Sequence, residues 1–564
     1  MGFTTTGQRR FALNHPFPHF RPTLIVCTLL ALLSGHNALA DDAPPVAPMP
    51  YADAIAALKD RSFDLKAQAV DALVQSGNPL ALAALKALVD GDLYYAQDDG
   101  RVVIAKDAAG GVLTTDAGSG AALGEAVKRD LKKIIINNTM RNQLRAAIAR
   151  LSLASDNPDA RLSAVLEILK DLTPEAVALL RTAREDEQSR RVREALDTAL
   201  AIADVNADNK RARLAAIDEL SASLYPEARN VLVPLAAKGA DGEFVEPDAE
   251  IREAAAGAIR IIDGKREFYS TVETAFFGLS LGSVLLLAAI GLAITFGVMG
   301  VINMAHGELI MLGAYTTYVV QLLMPHHIEW SLLVAVPAAF LVAGLVGIAI
   351  ERGVIRFLYG RPLETLLATF GISLILQQTV RTIFSPLNRS VETPQWMSGS
   401  LEINSVLSLT YNRLYIVLFS LMVFFALLAI LKKTRLGLHV RAVSQNRAMA
   451  RAMGIRTGWV DALTFGLGSG IAGVAGVALS QLTNVGPNLG QSYIIDSFMV
   501  VVFGGVGNLW GTLVGALSLG VVNKFLEPWA GAVLAKILVL VFIILFIQKK
   551  PRGLFPQKGR AVEH

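Results

Sequence analysis

The sequence predicts an all-α protein in which a polytopic helical membrane domain follows an exported helical domain that carries a small β insertion. Three observations support this fold class. The 564 residues are 53% hydrophobic, and the second half concentrates its apolar residues in runs of about 20, the length that crosses a bilayer. The first half repeats short segments with helical periodicity. Basic residues gather between apolar runs, as they do at the cytoplasmic ends of membrane helices.

The first 40 residues predict a secretory signal peptide. Arginines precede an apolar run at 24–33, and residues 38–40 (Ala-Leu-Ala) have the small side chains of a cleavage site. The run is too short for a transmembrane helix. The single cysteine, Cys27, lies in this segment. We therefore expect the mature chain to have neither disulfides nor thiolate metal sites.

Residues 41–265 predict an exported domain of paired helices. Pieces in which a basic residue precedes small and aliphatic residues at helical spacing recur, and this pattern is typical of HEAT-like repeats. The pieces lie at 65–73, 160–169, 192–200, 212–220 and 251–259. The segment contains no recognisable catalytic motif, so we expect a binding surface or a scaffold rather than an enzyme.

Residues 92–118 depart from this helical pattern. Asp99-Gly100 lies between runs that are rich in β-branched and aromatic residues, which indicates a hairpin. The sequence therefore predicts a small β insertion. A loop that touches a partner and a plain surface hairpin both fit, and the surface hairpin is the commoner case.

Residues 266–556 predict the membrane domain, and residues 557–564 a cytoplasmic tail. Nine apolar segments occur, at 272–298, 308–324, 329–350, 365–385, 412–431, 459–482, 493–504, 509–526 and 529–547. Most of them are long enough to span a bilayer. The short segments 493–504 and 509–526 are joined by a glycine-rich stretch, so they form either two half-helices or a hairpin.

Three basic segments predict the orientation of the membrane domain. They lie at 351–361, 432–456 and 549–552. Basic residues favour the cytoplasmic side, and nine crossings from an external N-terminus place all three there. The signal peptide independently places the first half outside. We expect a multi-pass protein of the bacterial inner membrane with a periplasmic N-terminal domain and a cytoplasmic C-terminus. The net charge of +4 implies no nucleic-acid partner.

Residues 299–314 interrupt the apolar region with glycines and with Asn303, His306 and Glu308. Polar groups at this depth are costly and need partners. The glycines favour a broken or re-entrant helix, which marks the substrate pathway in many transporters. The alternative is a tight cytoplasmic turn in which Asn303 and Glu308 cap the next helix. The sequence leaves both interpretations open.

Asp496 and Asn508 are two further candidates for the substrate pathway. Asp496 lies in an apolar segment just before the glycine-rich stretch 504–508, and Asn508 ends that stretch. An acidic residue at the outer membrane surface is an equally good interpretation of Asp496.

The largest basic segment contains a predicted short helix, residues 440–453, which Gly454 ends. Ser444, Arg447 and Arg451 share one side of it. The next span contains Gly466, Gly470 and Gly473. Gly466 and Gly470 form a Gly-x-x-x-Gly pair, which allows close helix packing within the subunit or between subunits.

Several short motifs follow one another along the membrane half. They are residues 301–308 (Val-Ile-Asn-Met-Ala-His-Gly-Glu), 366–376, 434–443, 453–455, 503–508 and 551–555. Together they resemble the branched-chain amino acid (LivH-like) permease family of ABC importers, over about residues 270–555. The resemblance implies a second related permease, two cytoplasmic ATPases that bind the ATP, and a periplasmic substrate-binding protein. It implies no cofactor, metal or catalytic residue in this chain.

The resemblance also gives the basic helix a role. An ABC permease needs a cytoplasmic helix that docks in its ATPase and transmits closure. The candidate coupling residues are Arg441, Ser444, Arg447, Arg451 and Gly454. Without the resemblance, a solvated basic loop would be the preferred interpretation.

The exported domain departs from the usual LivH-like architecture and resembles that of urea-transporting permeases in the same family. We therefore expect a permease subunit that forms the pathway for urea, a small neutral substrate, across the inner membrane, with membrane lipid around it. The first alternative is a permease for branched-chain amino acids or short amides. A remoter alternative is a membrane sensor with an external helical domain, which predicts a cytoplasmic output domain.

Overall fold

The computed structural model describes residues 49–108, 111–170, 172–240 and 242–555. The predicted signal peptide, Cys27 and the tail 557–564 lie outside the described residues. The chain divides into two compact units, Met1–Ser152 and Leu153–His564.

The first unit consists of helices and one antiparallel sheet in the strand order β4-β3-β2-β1-β5. Its elements are α1 (Tyr51–Ala57), α2 (Phe63–Gln75), α3 (Ala81–Asp90), β1 (Leu93–Ala96), β2 (Val102–Ala108), β3 (Gly111–Asp116), β4 (Ala122–Ala126), β5 (Leu131–Lys133) and α4 (Asn138–Leu153). Leu73, Leu85 and Leu93 are among the residues of its core. The predicted β insertion is present, but it extends beyond residue 118 and includes β4 and β5. These two strands are mostly exposed, so they lack the alternating pattern by which a half-buried strand is predicted.

The second unit begins with a helical repeat domain. Its helices are α5 (Pro158–Ile168), α6 (Pro174–Asp186), α7 (Arg190–Asp204), α8 (Lys210–Ala222) and α9 (Pro226–Ala236), followed by the start of α10 (Ala249–Met299). Four of these helices carry an arginine four residues after the N-cap, namely Arg161, Arg193, Arg213 and Arg252. Each donates to a backbone carbonyl of the preceding loop. This shared contact explains the repeated basic residue in the sequence and fits the predicted HEAT-like repeats.

Two buried glutamates join helices of this repeat domain. Glu187 accepts two hydrogen bonds of 2.8 Å from Arg161, and Glu246 accepts one of 2.5 Å from Arg213. Both carboxylates also accept from a backbone N–H two residues further on. The hydrogen bonds from Arg161 hold the pKa of Glu187 below its usual range. A carboxylate that is paired in this way stabilises the folded state when it is ionised.

Replacing Glu187 with glutamine is expected to lower the free energy of unfolding by about 2 kcal/mol at neutral pH, since Arg161 loses its charged partner. This difference in the free energy of unfolding is fully present above the unfolded-state pKa of a glutamate, about 4.3. It shrinks as the pH falls through the lower pKa that Glu187 has in the folded state. Thermal unfolding of the full chain in detergent, measured from pH 7 to pH 3, tests this. The control is Glu185→Gln, which removes an exposed acid of the same segment. Equal unfolding temperatures for the two variants at pH 7 would contradict the prediction.

The membrane domain is a helical bundle. Its elements after α10 are α11 (His306–Leu323), α12 (Ile328–Gly353), α13 (Pro362–Phe384), β6 (Ser400–Glu402), β7 (Ser408–Thr410), α14 (Tyr411–Lys433), α15 (Arg435–Gln445), α16 (Arg447–Ala452), α17 (Thr457–Ser480), α18 (Leu489–Gly504) and α19 (Leu509–Lys549). Among the described residues, six helices are long and apolar enough to cross a membrane. The observed apolar helices coincide with the predicted segments.

Helix α19 reverses direction at Gly531, where the backbone is not helical (φ 74°, ψ 160°). Near its start Gly511 touches Gly504, and near its end Phe546 packs on Phe503. Both ends of a 41-residue straight helix could not reach the end of α18. The segment is therefore a helical hairpin, and its two arms correspond to the predicted spans 509–526 and 529–547.

Helix α10 joins the repeat domain to the bundle without a break. Its first turns place Ile251 and Ile262 in the core of the repeat domain, and its later turns place Leu286 and Ile290 in the core of the bundle. The predicted domain boundary at 265 thus falls inside one helix. The composition changes there because the surroundings of the helix change, while the sequence contains no proline that would end it.

The three basic segments lie at one end of the bundle, which we call the basic end. Arg447 of α16 stacks over the ring of Tyr359, and Val298 at the end of α10 packs with Val440 of α15. The C-terminal segment joins them, since Phe555 donates to Gly504 near the α18–α19 turn. The opposite end carries the β6–β7 hairpin, where Glu402 lies 2.5 Å from Arg191 of α7.

Candidate functional site

The predicted break in the apolar region is present. Helix α10 ends at Gly300, which adopts a left-handed conformation (φ 67°), and α11 begins at His306. The connecting residues are not helical, yet Asn303 and Ala305 are fully buried. Non-helical backbone inside a bundle is tolerated where protein or a water-filled cavity surrounds it.

Two of the predicted residues hold this connection in place. Asn303 Oδ1 accepts from the backbone N–H of Ala305 (3.0 Å), which closes a turn within the connection. The N-cap of α11 is Ala305, and no side chain caps the helix there, so Asn303 does not have the capping role of the simpler interpretation. His306 is fully buried, and its Nε2 lies 2.8 Å from the carbonyl of Ala288 on α10. Asn303 Nδ2 and His306 Nδ1 have no hydrogen-bond partner among the described residues.

Glu308 faces α13 and does not cap its own helix. Its Oε1 accepts from Ser373 Oγ (3.0 Å) and Gln377 Nε2 (3.3 Å). Its Oε2 is buried without a hydrogen-bond partner in the described part of the chain, as is the hydroxyl of Tyr315 on the same helix. We call Glu308, Ser373 and Gln377 the Glu308 cluster. A buried polar oxygen without a hydrogen bond costs free energy, so these two oxygens favour the binding of water or a polar ligand at the cluster.

The partners of Glu308 belong to a polar stripe on α13 that sequence reasoning missed. Thr365, Thr369, Ser373 and Gln377 recur every four residues and are all buried. Thr369 Oγ1 accepts from Met304 in the broken segment (3.2 Å). The opposite side of α13 exposes the apolar residues Leu363, Leu367, Phe370 and Leu374. The spacing of uncharged polar residues within an apolar helix was the available signal.

The stripe and the Glu308 cluster form a hydrogen-bonding surface between α11 and α13. It offers hydroxyl and amide groups, which both donate and accept, and one carboxyl oxygen that is free to accept. Such a surface can exchange hydrogen bonds with a small polar solute as the solute moves along the helix.

The other two pathway candidates lie elsewhere. Asp496 pairs with Lys536 of α19 at 3.1 Å. Asn508 accepts from the backbone N–H of Trp510 (3.1 Å) at the start of α19, and its Nδ2 donates to the carbonyl of Phe555 (3.2 Å). Among the described residues, neither shares a hydrogen bond with the Glu308 cluster.

The predicted single helix at 440–453 is wrong in detail, because two helices, α15 and α16, meet at Asn446. This residue has an extended backbone, and its side chain accepts from the N–H of Met449 (2.9 Å), so it caps α16. Gly454 ends the region with φ 86°. Met449 and Met453 are exposed on α16 and just after it.

The candidate residues for ATPase coupling make contacts within this chain. Arg441 donates to the carbonyl of Leu431, and Ser444 Oγ donates to the carbonyl of Arg441. Arg447 pairs with the buried Asp461. Arg451 Nη2 donates to Thr457 Oγ1 (3.4 Å). These contacts fix α15 and α16 against the bundle.

The three packing glycines of α17 face α12 within the same chain. A Cβ at Gly466 would meet Ile348, one at Gly470 would meet Phe340, and one at Gly473 would meet Ala339. The glycines therefore allow α17 to pack closely against α12 within the subunit.

Comparison with known sequences extends these observations. The family described as "Branched-chain amino acid transport system / permease component" matches residues 274–547. The permease LivH of Salmonella typhimurium is 32% identical over 299 residues, which cover 51% of this chain and 96% of LivH. The chain belongs to the branched-chain amino acid permease family. It is thus an ABC-type permease subunit and a multi-pass membrane protein.

Two further permeases are similar in sequence to this chain. BraD of Pseudomonas aeruginosa, a high-affinity branched-chain amino acid permease, is 30% identical over 297 residues, which cover 51% of this chain and 96% of BraD. The ribose import permease RbsC of Escherichia coli is 28% identical over 324 residues, or 52% of this chain and 91% of RbsC. No solved structure matches the chain. The family match begins at residue 274, after the repeat domain.

Proposed function

We propose that this permease carries urea through the inner membrane along the surface between α11 and α13. The Glu308 cluster carries the proposal. Glu308 is almost fully buried, it makes no ion pair with any described residue, and its Oε2 is free to accept hydrogen bonds. In this proposal a second permease, two ATPases and a periplasmic binding protein complete the importer.

The chemistry of urea fits this cluster. Urea is neutral, its two amino groups can donate side by side to one carboxyl group, and its carbonyl accepts from a hydroxyl or an amide. Gln377 Nε2 donates one of its two N–H groups to Glu308, so the second can donate to the urea carbonyl. The exported repeat domain, which precedes the family match, adds the likeness in architecture to urea-transporting permeases.

Branched-chain amino acids are the second candidate substrate. LivH and BraD, which are branched-chain amino acid permeases, favour them. Arg381, one turn beyond Gln377 on α13, also favours them, since it donates to Asn488 (2.7 Å) and makes no ion pair with a described residue. A guanidinium in that position can bind the carboxylate of an amino acid.

Uptake of labelled urea tests the proposal. Cells with and without this gene, both containing urease to trap the product, receive micromolar urea with or without excess unlabelled leucine. We expect uptake that depends on the gene and is insensitive to leucine. Urea uptake that is the same without the gene would reject urea, and gene-dependent leucine uptake would then support the second candidate.

The proposed orientation places the repeat domain in the periplasm and the basic end in the cytoplasm. Since Cys27 is the single cysteine, new cysteines can be labelled without background once the signal peptide is removed. Asp208→Cys, in an exposed loop of the repeat domain, is expected to react with a membrane-impermeant maleimide in spheroplasts. Lys433→Cys, exposed at the basic end, is expected to react only after lysis. The reverse pattern would refute the orientation.

A further inference from the structure

A cavity of about 480 Å³ opens at the basic end, where α12 and α17 meet. Its lining includes Arg352, Arg451 and Arg456 together with Trp459. The guanidinium of Arg352 lies 4.4 Å from the centre of the Trp459 ring. Three arginines around one cavity form a site for a group with several negative oxygens.

The positive charge of the three arginines is only partly balanced by carboxylates of the described residues. Arg352 Nε lies 3.6 Å from the buried Glu351, while its Nη2 is buried without a hydrogen-bond partner among the described residues. Arg451 donates to the neutral Thr457. Arg456 is exposed and makes no ion pair within the described ranges. Among the described residues, only Arg352 of these three arginines therefore has a carboxylate partner.

The cavity continues into an apolar surface. Trp459 and Leu463, one turn apart on α17, are exposed, and so is Leu345 on α12. The two helices touch beyond the cavity, where Gly466 meets Ile348. Both helices are apolar enough to lie in the bilayer. A basic cavity with an exposed tryptophan at the end of two membrane helices is typical of the level of lipid head groups.

We propose that this cavity binds the phosphate of an anionic phospholipid whose acyl chains lie along Leu345 and Leu463. Arg352, Arg451 and Arg456 hold the phosphate, and Trp459 packs against the glycerol region. The apolar surface distinguishes this ligand from a soluble protein partner, because Leu463 lies about 9 Å along α17 from its first residue. The bound lipid fixes the start of α17, which residues 453–456 join to α16.

Native mass spectrometry of the full chain in neutral detergent tests the site, with phosphatidylglycerol and phosphatidylcholine added at equal concentrations. We expect the wild-type chain to retain phosphatidylglycerol about tenfold more than phosphatidylcholine, because the choline cation offsets the phosphate charge and is repelled by the arginines. Arg456→Gln, at an exposed position, is expected to lower phosphatidylglycerol retention about tenfold. Arg352→Gln combined with Arg456→Gln is expected to remove the preference.

The matched control is Arg361→Gln. Arg361 is an exposed arginine of the basic end that pairs with Glu364 outside the cavity, so the variant has the same net charge as Arg456→Gln. Equal loss of lipid from both single variants would overturn the proposal, since general charge would then explain binding. Competition by inorganic phosphate at the lipid concentration would also overturn it in favour of a free-phosphate site. Unchanged lipid retention with lost ATPase co-purification in Arg456→Gln would assign the cavity to a protein interface.

Discussion

Replacing Glu308 with alanine is expected to lower substrate uptake per permease molecule at least tenfold while the amount of protein in the membrane stays near that of the wild type. The change removes the acceptor of Ser373 and Gln377 and leaves two buried donors facing the proposed pathway. Losing an interaction with a passing solute that is worth about 1.4 kcal/mol corresponds to a factor of ten. Initial rates of labelled uptake, divided by the permease amount from immunoblots, measure the effect.

Two further variants identify which property of Glu308 matters. Glu308→Gln keeps the shape and one acceptor oxygen but removes the charge, so it separates hydrogen bonding from ionisation. Thr379→Ala is the matched control on α13, because Thr379 is exposed and its hydroxyl donates to the carbonyl of Ile375 in its own helix. If Glu308→Ala reduces the protein amount but leaves uptake per molecule unchanged, the carboxyl group has only a structural role.

Replacing Gly313 with alanine is expected to destabilise the bundle by about 3 kcal/mol and to reduce the amount of folded permease several-fold. A Cβ at Gly313 of α11 would overlap the backbone of Gly473 on α17, and one at Gly476 would overlap the carbonyl of Ile310. Backbone atoms cannot move aside as a flexible side chain does, so the two helices must separate. Fluorescence-detected gel filtration and thermal unfolding in detergent measure both effects.

The control for this prediction is Gly371→Ala. Gly371 lies in the middle of α13, and a Cβ there meets nothing within 4 Å. Alanine is the better helix former by about 0.8 kcal/mol, so the variant should be at least as stable as the wild type. A monodisperse Gly313→Ala permease that unfolds at the wild-type temperature would show that α11 and α17 are not in backbone contact.

The sequence was sufficient to locate the apolar helices and the break before His306. A bilayer demands long uninterrupted apolar helices, and glycines with polar residues stand out against them. The arms of α19 were separable for the same reason, since Lys524, Glu527 and Pro528 interrupt the apolar stretch. These features depend on neighbours in the sequence, so they can be predicted from it.

The pairing of Glu308 with Ser373 and Gln377 could not be predicted in that way. The two sides of the cluster are 65 and 69 residues apart, and only the packing of α13 beside α11 brings them together. Asn508 shows the converse, because its position beside a glycine-rich break suggested a pathway while its side chain caps α19. Both outcomes depend on tertiary contacts, which periodicity does not encode.

The unbroken course of α10 has a mechanical consequence. A helix of 51 residues is about 75 Å long and resists bending, so the repeat domain and the first membrane helix move as one lever. Its far end, Met299, directly precedes the broken segment that leads to Glu308. We therefore expect a movement of the repeat domain to reach the residues beside the Glu308 cluster, because α10 is continuous between them. A truncation at residue 265 would remove the repeat domain and the first turns of α10, and we expect it to change the bundle. A flexible linker in place of α10 would have allowed the bundle to lose the domain without such a change.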